Sequence, residues 1–284
     1  MKKEKNHNKE ILIRVFAHAI KDIIEYIPGP DMGTDERCMY WVKSEIGRAV
    51  GLPREIGGIP LDEIGATGFG LSVCAEVASS FCDVNLEGAR IVIQGFGSVG
   101  QHAARFLAAK DAVLVAAADS QGTIFNPQGI DIEHLIQLKN VGKSVIDYSQ
   151  GEKLEQDAVI AIPCDIWIPA ARPDVIHSDN VDRLQTKLVL QGANIPFTAE
   201  AERICHQRHI LIVPDFIANA GGVICGAVEY AGGNQQNAFQ AIEKKIRQNS
   251  TLVLETATKT GIQPREVAVE IAKRRACNVM KWWE

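Results

Sequence analysis

Long apolar runs are missing from the 284 residues, and no signal-peptide core opens the chain, so neither a spanning helix nor a secretory route is expected. Positive charge is also scarce. Thirty Lys and Arg face 35 acids, for a net charge of −5. No basic run follows the short Met1–Lys5 segment, which leaves nucleic acid unexpected as a partner. Cysteine is sparse and unpatterned. Cys38, Cys74, Cys82, Cys164, Cys205, Cys225 and Cys277 are odd in number, form no C-x-x-C pair and lie mostly in apolar stretches. This excludes a disulfide framework and a thiolate zinc site, and predicts reduced core thiols in the cytoplasm. No H-E-x-x-H pattern, Ser/His/Asp constellation or internal repeat occurs, and the isolated histidines suggest no metal. The length predicts about two domains.

What is present centres on Ala89–Gly100. The apolar run Ile91-Val92-Ile93 reads as a strand buried on both faces, and it enters Gly95-Phe96-Gly97-Ser98-Val99-Gly100, a G-x-G-x-x-G turn opening a helix to Ala109. Gly95 permits the tight turn, Gly97 the approach of a pyrophosphate, and Gly100 close packing of helix on strand. The helix N-terminus offers N–H groups and partial positive charge to phosphates. A second strand, Ala112–Ala118, ends at Asp119, where the ribose-binding acid of a dinucleotide site is expected.

From residue 66 to 230 apolar strands alternate with helices. The pattern predicts an α/β fold, a Rossmann-like, mainly parallel sheet with helices on both faces, plus flanking N- and C-terminal helices. The expected strands include Ala158–Ile162, Asp165–Pro169, Leu188–Leu190 and Ile210–Val213. Their carboxyl ends bring Ala170-Ala171, Gly192–Asn194 and Asp215–Gly222 beside the glycine turn. Residues 1–10 read as a frayed end and Ile11–Tyr26 as an amphipathic helix ended by Pro28 and Pro30. Thr34 reads as the N-cap of a helix to Ile46, and Thr67 as the cap of one reaching Cys82. Two long helices, Asn237–Thr258 and Pro264–Trp283, finish the chain. The expected domains are residues 1–50 (N-terminal helices and the Asp31 loop), 51–230 (dinucleotide binding) and 231–284 (C-terminal helices packed on it). Spacing alone reads Asp31, in its prolyl loop, as a turn aspartate or second cap.

The run Ile27–Thr34, Gly65–Gly70, Gly95–Gly100, Asp119-Ser120, Ile168–Ala171, Gly192–Asn194 and Pro214–Val223 resembles, in order, the glutamate/leucine/phenylalanine/valine dehydrogenases, glutamate dehydrogenase above all. The resemblance implies oxidative deamination of an L-amino acid to a 2-oxo acid, with NAD, or NADP, taking the hydride. It implies that Asp31 is the catalytic aspartate that moves protons at the amino nitrogen. Thr67 and Asn194 would lie near the nicotinamide, Asn219 near substrate and nicotinamide, and Asp119 at the ribose, with Ser120 beside it leaving room for a 2′-phosphate. Gly95, Phe96, Gly97, Ser98, Val99, Gly100, Ala170 and Ala171 complete the implied cofactor site.

The sequence also departs from the family pattern. Family members carry a substrate domain of well over a hundred residues ahead of the catalytic aspartate, with a K-x-G-G-x-K-like motif and a catalytic lysine. Here thirty residues precede Asp31, and Lys2, Lys3, Lys5, Lys9 and Lys21 have no flanking Gly-Gly. The arginine of the A-T-G-R-G segment is Phe69, and the serine expected after Gly-Gly-Val aligns with Gly226. Two readings follow: a glutamate-dehydrogenase-like oxidoreductase, impaired as an isolated chain, or a weak or inactive NAD(P)-binding regulatory or scaffold subunit. A shortened gene product is the trivial case. Trp282 and Trp283 suggest an oligomer or partner chain over the cleft and the C-terminal surface.

Overall fold

The structure, a computed structural model, describes residues 2–281; the Trp282-Trp283 pair and the cover expected for it lie outside the described residues. The helices are α1 (Lys2–Ala19), α2 (Glu36–Ile46), α3 (Ala66–Ser79), α4 (Ser98–Ala108), α5 (Ile132–Asn140), α6 (Ala199–Gln207), α7 (Asp215–Ala218), α8 (Gly221–Tyr230), α9 (Gln235–Thr260) and α10 (Pro264–Met280). The strands are β1 (Arg90–Gln94), β2 (Val113–Asp119), β3 (Gly122–Phe125), β4 (Glu152–Leu154), β5 (Ile166–Pro169), β6 (Leu188–Leu190) and β7 (Leu211–Val213). Two compact units result. One holds the chain up to Ala66 and Gly222–Ile242; the other holds Thr67–Gly221 and the chain from Glu243.

In the first unit α1 and α2 pack through Ala17, Cys38, Met39, Trp41 and Val42. Helix α1 covers the segment expected to fray and stops seven residues short of Tyr26. Arg48 explains the early stop: its guanidinium donates to the carbonyls of Ile20, Lys21, Ile23 and Tyr26, groups that a continuing helix would use itself. The cap of α2 is Asp35, not Thr34, and its carboxylate accepts the Cys38 N–H at 2.9 Å.

The second unit is built on a seven-stranded sheet of order β4-β3-β2-β1-β5-β6-β7. Strands β2, β1, β5, β6 and β7 are parallel, while β3 and β4 add an antiparallel edge. The central strands are buried on both faces, as parallel strands under helices must be. One face carries Val92, Trp167 and Val189 against Ala201 and Cys205 of α6. On the other, Gly100 lets α4 approach so closely that a Cβ there would stand 3.1 Å from Ile93. The run Ala158–Ile162 is not a strand. Residues Gln156–Ile160 form a 3₁₀ turn whose Val159 and Ile160 face into the core, and Val159 C=O accepts the Trp167 indole N–H at 3.1 Å. The apolar run therefore covers the sheet instead of joining it.

Candidate active site

Strand β1 lies between β2 and β5, so the chain winds outward in both directions from it, and the crevice at its carboxyl end is the switch point where α/β sheets bind ligands. The G-x-G-x-x-G turn fills that position. Gly95 and Phe96 spend their N–H groups on Ala118 C=O, both at 3.0 Å, and the Phe96 ring is buried. Gly95 also has φ +100°, and a Cβ there would meet Ala170 and Ala171 at 2.7 Å. These residues tie the turn to the ends of β2 and β5. Gly97 differs: a Cβ added to it meets nothing within 4 Å. It stands at the N-cap of α4 without a side-chain cap, next to exposed Ser98. An uncapped first turn facing open space suits a pyrophosphate.

The neighbouring turns join this one in a row. Ala170 N–H donates to Gln94 C=O at 2.7 Å, and the Gly192 and Ala193 N–H groups donate to Pro169 C=O at 2.9 and 2.8 Å. Asn219 Nδ2 donates to Asn194 Oδ1 at 2.8 Å. Thr67 is not a cap, because α3 already begins at Ala66; it sits in the first turn. The following Gly68 brings α3 against α4, where a Cβ would stand 2.5 Å from His102 Cβ. Phe69, in the place of the family arginine, meets Phe106 edge to face at 5.3 Å.

A buried polar network, not evident from spacing, holds the Asn194 turn. Asp215 Oδ2 accepts the Ile195 N–H at 2.8 Å, and Asp215 N–H donates to Gln191 Oε1. Arg265 pairs with Asp215 Oδ1 at 3.0 Å and grips Glu202 through Nε and Nη2 at 2.7 and 2.8 Å. Burial alone would lower the Arg265 pKa, but the Glu202 hydrogen bond and the two carboxylate charges raise it, so the guanidinium stays charged.

At the end of β2, Asp119 is fully engaged. Oδ1 accepts the Gln121 N–H at 2.9 Å and the Ser144 hydroxyl at 2.8 Å; Oδ2 accepts Lys139 Nζ at 2.6 Å and the Val145 N–H at 3.0 Å. Burial pushes its pKa up, yet Lys139 and the other donors outweigh burial and hold it below 3.8. Ser120, next along, is exposed.

Asp31 lies in the first unit, whereas every candidate cofactor residue lies in the second. Its loop is a turn: the Asp31 N–H donates to Thr34 Oγ1 at 2.7 Å, Thr34 Oγ1 returns a bond to Asp31 C=O, and Oδ1 accepts the Met32 N–H at 2.7 Å. The side chain is exposed, and Oδ2 has no hydrogen-bond partner among the described residues. Val50 N–H donates to Pro28 C=O at 2.8 Å, and Gly51 packs so tightly on Pro30 that a Cβ would stand 2.5 Å away. Glu229 of α8 fixes that contact by accepting the Gly51 and Leu52 N–H groups at 2.6 and 3.2 Å. A half-buried neighbour, Asp62, has its pKa raised by desolvation first and by the Asp31 charge second.

The sequence profile of the Glutamate/Leucine/Phenylalanine/Valine dehydrogenase family matches residues 57–282. The chain belongs to that family. It is 36% identical to the glutamate dehydrogenase of Aeropyrum pernix, over 96% of this chain and 70% of that one. It is also 36% identical to an NADP-specific glutamate dehydrogenase of Saccharolobus shibatae, over 77% of this chain and 54% of the relative. Its fold matches a hetero-hexameric glutamate dehydrogenase of Thermus thermophilus in a leucine-bound form, with TM-score 0.83 at 24% identity, over 94% of this chain and 67% of that one. Among the described residues no group of three or more His, Cys, Asp or Glu side chains could hold a metal ion, and no helix is long and apolar enough to cross a membrane.

Proposed function

We propose that the chain carries the nucleotide-binding part and the proton-transfer aspartate of a glutamate-dehydrogenase-type enzyme. The reaction is oxidative deamination of an L-amino acid, glutamate first, to a 2-oxo acid and ammonia. The observation that carries this reading is the open, uncapped Gly97 turn continuous with the paired amides of Asn194 and Asn219, in a chain that also holds Asp31 in a fixed, exposed turn. NAD or NADP, when bound, supplies the hydride acceptor. Gly97, Ser98, Val99 and Gly100 would hold its pyrophosphate, with Gly95, Phe96, Ala170 and Ala171 shaping the floor of that turn. Asp119 and Ser120 would form the ribose corner. Thr67, Asn194 and Asn219 would orient the nicotinamide half. Asp31 Oδ2 would accept a proton from the substrate nitrogen and return it as the imine is hydrolysed. The relatives' dehydrogenase activity, the oligomeric state of the Thermus enzyme and the exposed apolar residues Leu12, Val15 and Ile24 support action as an oligomer. The seven free cysteines suit a reducing, cytoplasmic setting.

A second reading, a nucleotide-binding subunit without chemistry of its own, is favoured by one observation: Phe69, in the place of the family arginine, is packed on Phe106 and brings no charge to the site. Titration with NAD and NADP, followed by glutamate-dependent reduction of either, separates the two. Binding with turnover, by the chain alone or with a lysine-bearing partner polypeptide, supports the dehydrogenase. Binding without turnover in both settings leaves the subunit reading. Gly97→Ala should abolish binding while leaving the melting temperature within about 2 °C, since its methyl enters open space.

A further inference from the structure

The corner at the end of β2 has a feature that the dinucleotide reading did not call for. A ribose 2′-hydroxyl is ordinarily gripped by a carboxylate with lone pairs to spare. Asp119 has none to spare: Gln121 N–H, Ser144 Oγ, Lys139 Nζ and Val145 N–H occupy its two oxygens. What the corner does offer is donors. Lys139 has three N–H groups, of which Asp119 uses one, and its side chain is 22% exposed against 10% for Asp119. The exposed Ser120 hydroxyl follows Asp119, and the exposed ammonium side chain of Lys143 precedes Ser144. Asp147, three residues beyond Ser144, is turned to the Ser144 N–H, which its Oδ2 accepts at 2.9 Å. A neutral hydroxyl gains little here, whereas a phosphate brings several strong acceptors to an ammonium already fixed in place.

We infer that Lys139 reads a phosphate on the adenosine ribose, so that the chain prefers the 2′-phosphorylated dinucleotide, with Asp119 serving as the anchor that positions Lys139 rather than as the ribose ligand. This rests on the dinucleotide site proposed above. Opening the corner for an unphosphorylated ribose would require a partly buried carboxylate to give up one of its four donors, which costs affinity.

The test is equilibrium binding by calorimetry on the full chain, with NADP⁺ against NAD⁺ and with 2′,5′-ADP against 5′-AMP, a pair differing only in the 2′-phosphate. The phosphorylated ligand of each pair should bind at least about fivefold tighter. Lys139→Met should cost about tenfold in affinity for NADP⁺ and leave NAD⁺ unchanged or tighter, because Asp119 Oδ2 is released. Lys139→Arg should keep the preference. Ser144→Ala, which frees Oδ1 while sparing the ammonium, should improve NAD⁺ alone, and it decides the matter if Lys139→Met does not fold. Tighter binding of NAD⁺ by the natural chain, or equal losses for both ligands in Lys139→Met, would overturn the inference and leave the dinucleotide site standing. Failure of all four ligands to bind would overturn both.

Discussion

Asp31 and Asp119 are the two acids to which the sequence assigns chemistry, and the structure treats them in opposite ways. Asp31 stands in a solvent-facing turn, with one oxygen fixed by the Met32 N–H and the other uncommitted. Asp119 is a near-buried anion whose oxygens hold four donors from a segment 2 to 26 residues further along the chain. The first has an oxygen open to a visiting molecule; the second can offer one only by dismantling its own surroundings. Position along a strand or loop thus locates an acid, but the donors around it decide whether it reacts or supports.

The largest expected effect tests the Asp31 side of this contrast. In any preparation that turns over, Asp31→Asn should lower kcat by about 10² to 10⁴-fold while nucleotide affinity, read by calorimetry, stays put. Loss of nucleotide affinity would instead make Asp31 a structural residue. Next comes Arg265→Met, which strips the compensating charge from Glu202 and Asp215, whose side chains are 6% and 7% exposed. Urea unfolding should register about 3 kcal/mol of lost stability, and the Asn194 turn should loosen with it. A value near zero would mean that the network adapts without its cation.

Acid titration probes Asp119. Its folded pKa lies below 3.8, so its contribution to stability is complete above that value and disappears as pH falls through the lower folded one. Asp119→Asn should therefore lose about 1 to 2 kcal/mol at neutral pH and show a flatter decline on acidification than the natural chain. Parallel acid profiles for the two proteins would deny the carboxylate its anchoring role. The smallest effect should come from Thr34→Val, which deletes the bond to the Asp31 N–H and the one returned to Asp31 C=O. About 1 kcal/mol in thermal unfolding is expected, with a larger relative loss in kcat than in nucleotide affinity.

What could be read in advance was local. The strand–turn–helix at Gly95 announces itself through three glycines and an apolar run, and the turns after β5, β6 and β7 follow from apolar strands that give way to Ala170-Ala171, Gly192 and Pro214. What could not be read depends on distant partners. The short antiparallel strands β3 and β4 are four and three residues long and sit in polar sequence. The apolar Ala158–Ile162 carries a strand-like pattern, but its burial comes from facing Trp167 and its neighbours. The end of α1 depends on Arg48, twenty-odd residues on. Lys139 for Asp119, Arg265 for Asp215 and Glu229 for Gly51 have no signature in spacing, since each pair forms only once the chain has folded back.

Glu229 also constrains when the molecule can finish. The unit that carries Asp31 is discontinuous, interrupted by residues 67–221, and its α8 clasp on Gly51 and Leu52 belongs to the later piece. A chain emerging from the ribosome at about 5–20 residues per second has the Asp31 loop in hand well before its support exists. During that interval Pro28–Asp31 has its turn bonds but not the Glu229-braced surface against which Gly51 presses Pro30. The Asp31 carboxylate would thus take its final setting late in biosynthesis, after the strands of the sheet have all been made.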